Sequence, residues 1–187
     1  QIVGKSILVV EDSTFTDNRA IGTNAFGSVL FNYGNANCHI SDSNFTSNSA
    51  AKGGTICNYN GNLEVLRSTF NNNYAPNGAV IFDNGGSVSL TGSSFNANNA
   101  TKGGVLYNQN NGRISISGSS FSTNFAVDEG SVLHIINGNV NITTSKFKNN
   151  KADSGAIYNN GNVFLTSSEF INNTGTVEHI VKDDKEA

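Results

Sequence analysis

A phenylalanine returns seven times along this chain, at Phe15, Phe45, Phe70, Phe95, Phe121, Phe147 and Phe170, with separations of 30, 25, 25, 26, 26 and 23 residues. The same neighbours return with it. Ser stands two positions before each Phe (Ser13, Ser43, Ser68, Ser93, Ser119, Ser145, Ser168) and Asn three positions after it (Asn18, Asn48, Asn73, Asn98, Asn124, Asn150, Asn173). The fifth position after Phe is Ala in six of the seven copies, from Ala20 to Ala152, and Gly175 in the last. Self-similarity at a fixed period of about 20–50 residues restricts a chain to solenoids, propellers or arrays.

Each copy reads as three short strands. Seven and five positions before Phe lie apolar residues, Leu8/Val10, Cys38/Ile40, Leu63/Val65, Val88/Leu90, Ile114/Ile116, Val140/Ile142 and Val163/Leu165, which is the period of a strand. The Ser-x-Phe stretch is a second strand. A third is the glycine-led block at 27–32, 53–58, 78–83, 103–108, 130–135 and 154–159, each followed by a turn carrying Gly34, Gly61, Gly85, Gly112, Gly138 or Gly161. No stretch is long enough for an amphipathic helix. Three short strands cannot close a core alone, but stacked coils can. The prediction is an all-β chain, a right-handed parallel β-helix of about seven coils and roughly 25 residues per coil, the hand following the general preference of parallel crossovers. Residues 1–176 form its single domain, with Gln1–Lys5 as the remnant of a glycine-led strand or a linker, and the charged segment 177–187 is its cap or tail. In this geometry Phe stacks on Phe at roughly 4.8 Å and Asn hydrogen-bonds to Asn from coil to coil. Leucine-rich repeats have similar periods but need a Leu spacing this chain lacks.

With 36% hydrophobic residues the composition alone would suit a disordered chain, but a disordered chain has no reason to hold Phe in register. A net charge of −3 without a basic stripe gives no footprint for phosphates, so nucleic acid is not an expected partner. There is no run of 18 apolar residues, no initial Met and no signal peptide. The chain therefore reads as an excised or processed piece of an exported protein, with any membrane anchor outside it.

The stretches "FTSNSAAKGGTI", "FNANNATKGGVL" and "FKNNKADSGAIYNNG" carry a resemblance that spans residues 6–175. The paired GGxI and FxxN motifs are similar to those of the chlamydial polymorphic membrane proteins, and the longer SxFxxNxAxxGGAIYN form resembles the adhesin-like surface proteins of methanogenic archaea. The resemblance implies a β-helix displayed on a cell surface. Departures are the single glycine of "GSVL", "GAVI" and "SGAI" and a longer loop at Ile21–Phe26.

Inward columns are explained by folding, so function is sought on outward positions. On the glycine-led strand these are Phe31, Cys57, Phe82, Tyr107, His134 and Tyr158, and the aromatic row of Phe31, Phe82, Tyr107, His134 and Tyr158 is the candidate binding surface for sugar rings or a protein. Its competing interpretation is pairing within the sheet or cover from neighbouring turns. Hydroxyls and amides flanking the Phe column, from Thr14/Thr16 to Ser120/Ser122, form a second polar face, ending in Lys146/Lys148. The only acids stacked in register are Asp12 and Asp42, followed by Arg67, and they are the candidate Ca²⁺ or acid/base site, although Asp at a corner also caps its own turn. Asp128, Glu129 and Asp153 converge with no second acid by period, and His39, His134 and His179 match no metal spacing. Cys38 faces inward and Cys57 outward, so no disulfide is expected. Sequons stand at Asn44, Asn99, Asn141 and Asn172.

These features predict an extracellular, adhesin-like binding module without catalysis or cofactor, attaching to a glycan or protein on a host or partner cell. A carbohydrate-active enzyme and a structural stalk are the alternative readings of the same repeats.

Overall fold

The computed structural model describes residues 1–175. The segment 177–187, read above as a cap, lies outside the described residues. The fold is all-β, a parallel solenoid of about seven turns with about 26 residues per turn. The glycine-led strands Ile2–Val3, Leu30–Tyr33, Ile56–Tyr59, Ile81–Asn84, Leu106–Gln109, Leu133–Ile135 and Ile157–Asn159 pair in parallel as a first sheet. The alternating strands Ile7–Glu11, Asn37–Ser41, Asn62–Leu66, Ser87–Thr91, Arg113–Ser117, Asn139–Thr143 and Asn162–Thr166 form the second. The phenylalanine strands, from Thr14–Thr16 to Glu169–Ile171, form the third. Ile2 and Val3 pair with Asn32 and Tyr33, which puts a strand of the first sheet within Gln1–Lys5.

Register is strict because the inward residues are the same in every coil. The Phe rings stack at 4.8, 4.6, 5.1, 4.9, 4.7 and 4.5 Å between centroids, with interplanar angles of 14° or less. That spacing is the inter-strand distance of any β-sheet, so the backbone, and not ring preference, sets it. The five central rings are fully buried, whereas Phe15 is half-buried and Phe170 is 43% exposed, because among the described residues a ring at either end of the column has a stacked ring on one face only. The aliphatic columns of the first two sheets fill the remainder of the core.

Beside the Phe column runs the Asn ladder. Each Nδ2 from Asn18 to Asn150 donates to the Oδ1 of the next coil at 2.8–3.1 Å, and the same Oδ1 accepts the preceding Asn backbone N–H at 2.9–3.0 Å. The second proton of Nδ2 goes to a Phe carbonyl in the coil behind, as Asn98 donates to the Phe70 carbonyl at 3.0 Å. Every donor and acceptor of the central amides is thereby used, which removes the cost of about 1–3 kcal/mol that a lone buried amide carries. The Ser column works in parallel, each Oγ accepting the backbone N–H of the Ser one coil earlier, as Ser68 Oγ does from Ser43 at 3.1 Å.

Two of the corners follow a rule that residue identity conceals. The position three before Phe (Asp12, Asp42, Arg67, Gly92, Gly118, Thr144, Ser167) is left-handed in all seven coils, with φ between 43° and 57°. The position two after Phe (Asp17, Ser47, Asn72, Ala97, Thr123, Asn149, Asn172) is left-handed as well, at 50° to 56°. For a residue with a Cβ that conformation costs roughly 1–2 kcal/mol, and the ladder hydrogen bonds on either side hold it in place.

Two stability predictions follow from this geometry. Phe95→Ala, in a central coil, lowers unfolding free energy by about 3–5 kcal/mol through lost burial and a cavity; a loss under about 1 kcal/mol in chemical denaturation would show that the ring is not core. Thr144 is exposed, β-branched and left-handed at φ 50°. Thr144→Gly relieves that conformation and, after the greater chain entropy of glycine, raises stability by about 0.5–1 kcal/mol in the same assay; a loss of stability would contradict the account.

Candidate functional site

The aromatic row on the glycine-led strands forms in register, but it is not a free surface. Phe82, Tyr107, His134 and Tyr158 stack at 5.4, 4.8 and 4.7 Å between centroids. Cys57, Phe82 and His134 are nevertheless buried, and Phe31, Tyr107 and Tyr158 are half-buried. Cys57 and Phe82 stand outside the core cluster, and residues between Asn and the glycine block pack against the row as a lid, as Glu129 does on His134. Phe26 packs on Phe82 at 5.2 Å, so the longer loop at Ile21–Phe26 supplies part of the lid. This contact also explains the double glycine. A Cβ on Gly53 would lie 2.9 Å from the Phe82 ring and 3.0 Å from Phe26, while Gly54 has φ +61°. At 53–54 the first glycine is required by the ring beneath it and the second by the backbone, whereas at 103–104 the roles are exchanged: Gly103 has φ +63° and a Cβ on Gly104 would lie 2.1 Å from the Ser131 carbonyl oxygen.

The lid carries charge at one place. Glu129 accepts from Lys102 Nζ at 2.7 Å and lies 2.8 Å from His134 Nε2. Burial holds the His134 pKa below the usual histidine range, against the pull of Glu129 in the other direction. The carboxyl of Glu129 is held below its ordinary value by the Lys102 hydrogen bond. This cluster ties the segment 99–104 to 125–130 over Tyr107 and His134, alongside the short parallel pair Asn99–Lys102 and Phe125–Glu129.

Asp12 and Asp42 sit where their period places them, at left-handed corners. Arg67, the next residue in that column, takes both oxygens of Asp42, Nε to Oδ1 at 2.8 Å and Nη2 to Oδ2 at 2.6 Å, and this hydrogen bonding lowers the Asp42 pKa. The pair is exposed, so it is a screened contact of the outer corner. Among the described residues, no three His, Cys, Asp or Glu side chains gather as a metal would require. Asp12 and Asp42 are the corner residues of their own turns, and Asp42 is engaged by a guanidinium. Cys38 and Cys57 are both free and both buried, which pushes each thiol up to about 12. Of the sequons, Asn99, Asn141 and Asn172 are exposed, and half-buried Asn44 accepts from Thr69 Oγ1 at 2.7 Å.

An open groove of about 410 Å³ lies on the outer face of the second sheet, a face the sequence reading left unexplored. It is lined by Ser87, Ser89, Arg113, Ser115, Asn139 and Asn141, with Phe164 in the last of the four coils it crosses. Phe164 is 61% exposed, against the buried Phe rings of the core. The groove arises because the middle outward position of successive strands changes in size, with Glu64, Ser89, Ser115, Asn141 and Phe164 paired in register. Two serines in adjacent coils leave a depression between longer side chains. The signal was present in the sequence as that column of sizes, one residue inside each alternating strand.

Compared with known proteins, the chain matches no family model, no curated protein and no solved structure. The likeness of its repeats to surface-protein repeats therefore rests on the motifs and the solenoid they build.

Proposed function

We propose that this solenoid is an adhesin-like binding module displayed outside the cell, and that it holds a glycan on a host or partner cell in the groove of its second sheet. The observation that carries this reading is the groove itself. A row of hydroxyls and amides at strand spacing, with an exposed ring at one end, offers a sugar both hydrogen bonds and a face to stack on. Arg113 adds a cation suited to an acidic sugar. The side chains that line it offer hydroxyls, amides, a guanidinium and a phenyl ring, whereas cleavage of a glycosidic bond calls on a pair of carboxyl groups. The likeness of the repeats to surface-exposed adhesin-like proteins supports an extracellular setting. Burial of Phe82 and His134 moves the weight of the binding argument from the aromatic row to Phe164.

Glycan-array and cell-attachment assays test the reading. The protein is expected to bind, with acidic glycans ahead of neutral ones, and Phe164→Ala combined with Arg113→Ala is expected to weaken binding at least tenfold with an unchanged melting temperature. Tyr107→Ala combined with Tyr158→Ala is expected to lower the melting temperature, because both rings stack on buried His134, while leaving attachment by the folded protein intact. Binding that survives the groove variant but not the tyrosine variant returns the site to the aromatic row. No binding to any glycan or cell would make the chain a spacer.

A further inference from the structure

A second ladder runs along the first sheet, and one of its steps is drawn between two acceptors. Asn32, Asn58, Asp83 and Asn108 occupy the same inward position in consecutive coils. Asn32 Nδ2 donates to Asn58 Oδ1 at 2.8 Å, and Asn58 Nδ2 donates to Asp83 Oδ1 at 2.8 Å. The Nδ2 position also reaches corner carbonyls, those of Ala36 and Asn62 from Asn32 and that of Gly61 from Asn58. It is a slot ringed by acceptors, and it calls for a donor.

At Asp83 the slot holds Oδ2. That oxygen has no hydrogen-bond partner, and neither has Asn108 Oδ1 in the next coil, although both residues are fully buried. Corner glycines locate the two atoms. A Cβ on Gly61 would lie 2.3 Å from Asn32 Nδ2 and 2.8 Å from Asn58 Oδ1, and one on Gly86 would lie 2.2 Å from Asn58 Nδ2 and 2.9 Å from Asp83 Oδ1. In the third step, a Cβ on Gly112 would lie 2.1 Å from Asp83 Oδ2 and 2.2 Å from Asn108 Oδ1. The two oxygens thus face each other across the step that a hydrogen bond spans in the preceding coils. Turning the Asn108 amide over would only move the conflict, because Oδ1 would then face the Asn137 carbonyl to which Nδ2 donates at 3.1 Å.

We propose that Asp83 is a neutral carboxylic acid in the folded protein, donating from Oδ2 to Asn108 Oδ1, and that loss of this proton loosens the solenoid, making it a pH-sensitive structure. Burial drives the Asp83 carboxyl up to about 7, against the hydrogen bonds from Asn58 and the Gly86 backbone. Because the folded chain keeps the proton to about pH 7 while the unfolded chain releases it near the ordinary value of 3.8, the stabilisation is complete in acid and is lost as pH rises between those values. Above them a buried carboxylate faces a carbonyl oxygen with no proton between. The titratable side chains on the strands packed against Asp83 are Cys57 and Tyr59 before it and Tyr107 after it, all on alternate positions that face the other side of the sheet. The Cys57 thiol, pushed up to about 12 by burial and then by the Asp83 charge, stays neutral throughout this range. Arg113 opens the following strand of the second sheet and is exposed.

Urea unfolding of the wild type and Asp83→Asn from about pH 5 to about pH 8.5 tests the assignment. The wild-type midpoint falls across this range, and Asp83→Asn, which supplies the donor the slot demands, loses that fall and surpasses the wild type at the alkaline end. His134, whose lowered pKa gives the opposite slope, acts equally in both proteins, so the difference between the two curves is the readout. Equal slopes, or a variant weaker than the wild type at the alkaline end, would overturn the proposal. The ¹³C shift of the Asp83 carboxyl in the wild type is a second readout independent of the variant. A protonated-acid shift at about pH 6 supports the assignment, and a carboxylate shift there overturns it.

Discussion

A carboxamide buried beside a stack of rings can be satisfied in this fold only by an identical carboxamide one coil away. Each Asn of the ladder must find an Oδ1 ahead and a Phe carbonyl behind, and those partners exist only if every coil has the same register as its neighbours. Parallel pairing in all three sheets and the left-handed corners on either side of the Phe column meet that requirement, and the inter-strand distance they impose sets the ring spacing. An insertion is tolerated where it leaves the register intact, as the longer separation between Phe15 and Phe45 does by placing its extra residues in the lid that carries Phe26. The same logic explains why one substitution in a ladder has a chemical consequence. Asp83 keeps the shape of Asn but not its donor, so the coil compensates with a proton.

Residues that face inward were legible in the sequence because stacking forces them to be identical. Phe, Ser, Asn and the aliphatic alternation identified the strands, their order and the coil, and the structure places them as that pattern requires. Outward residues obey no such rule, and there the sequence was a poorer guide. Alternation correctly sends Cys57, Phe82 and His134 out of the coil interior, but whether they meet water depends on a loop that packs from above, which no period encodes. The corner columns were hidden for a related reason: Asp12, Arg67, Gly118 and Thr144 share a backbone conformation and nothing else. The groove at Ser89 and Ser115 is visible only when side-chain size is read down a column of coils instead of along a strand.

This division of labour suits the binding role proposed for the chain. Stability resides in columns that point inward, while the outer faces of the second and third sheets are free to carry whatever recognition demands. The groove uses that freedom: its serines, asparagines, Arg113 and Phe164 contribute little to the core and are held at strand spacing by neighbours that do. An acid-tightened ladder one sheet away would add a dependence on the surrounding pH without altering the groove.

The most direct test of the central claim is hydrogen exchange at the side-chain amides of the ladder, followed by NMR. If the ladder holds the coils in register, the Nδ2 protons of Asn73, Asn98 and Asn124 exchange only through global unfolding, orders of magnitude more slowly than those of exposed Asn24. Exchange of the ladder amides at the rate of Asn24, in a protein that is otherwise folded, would show that these side chains are solvated and that the coils are held together by something else.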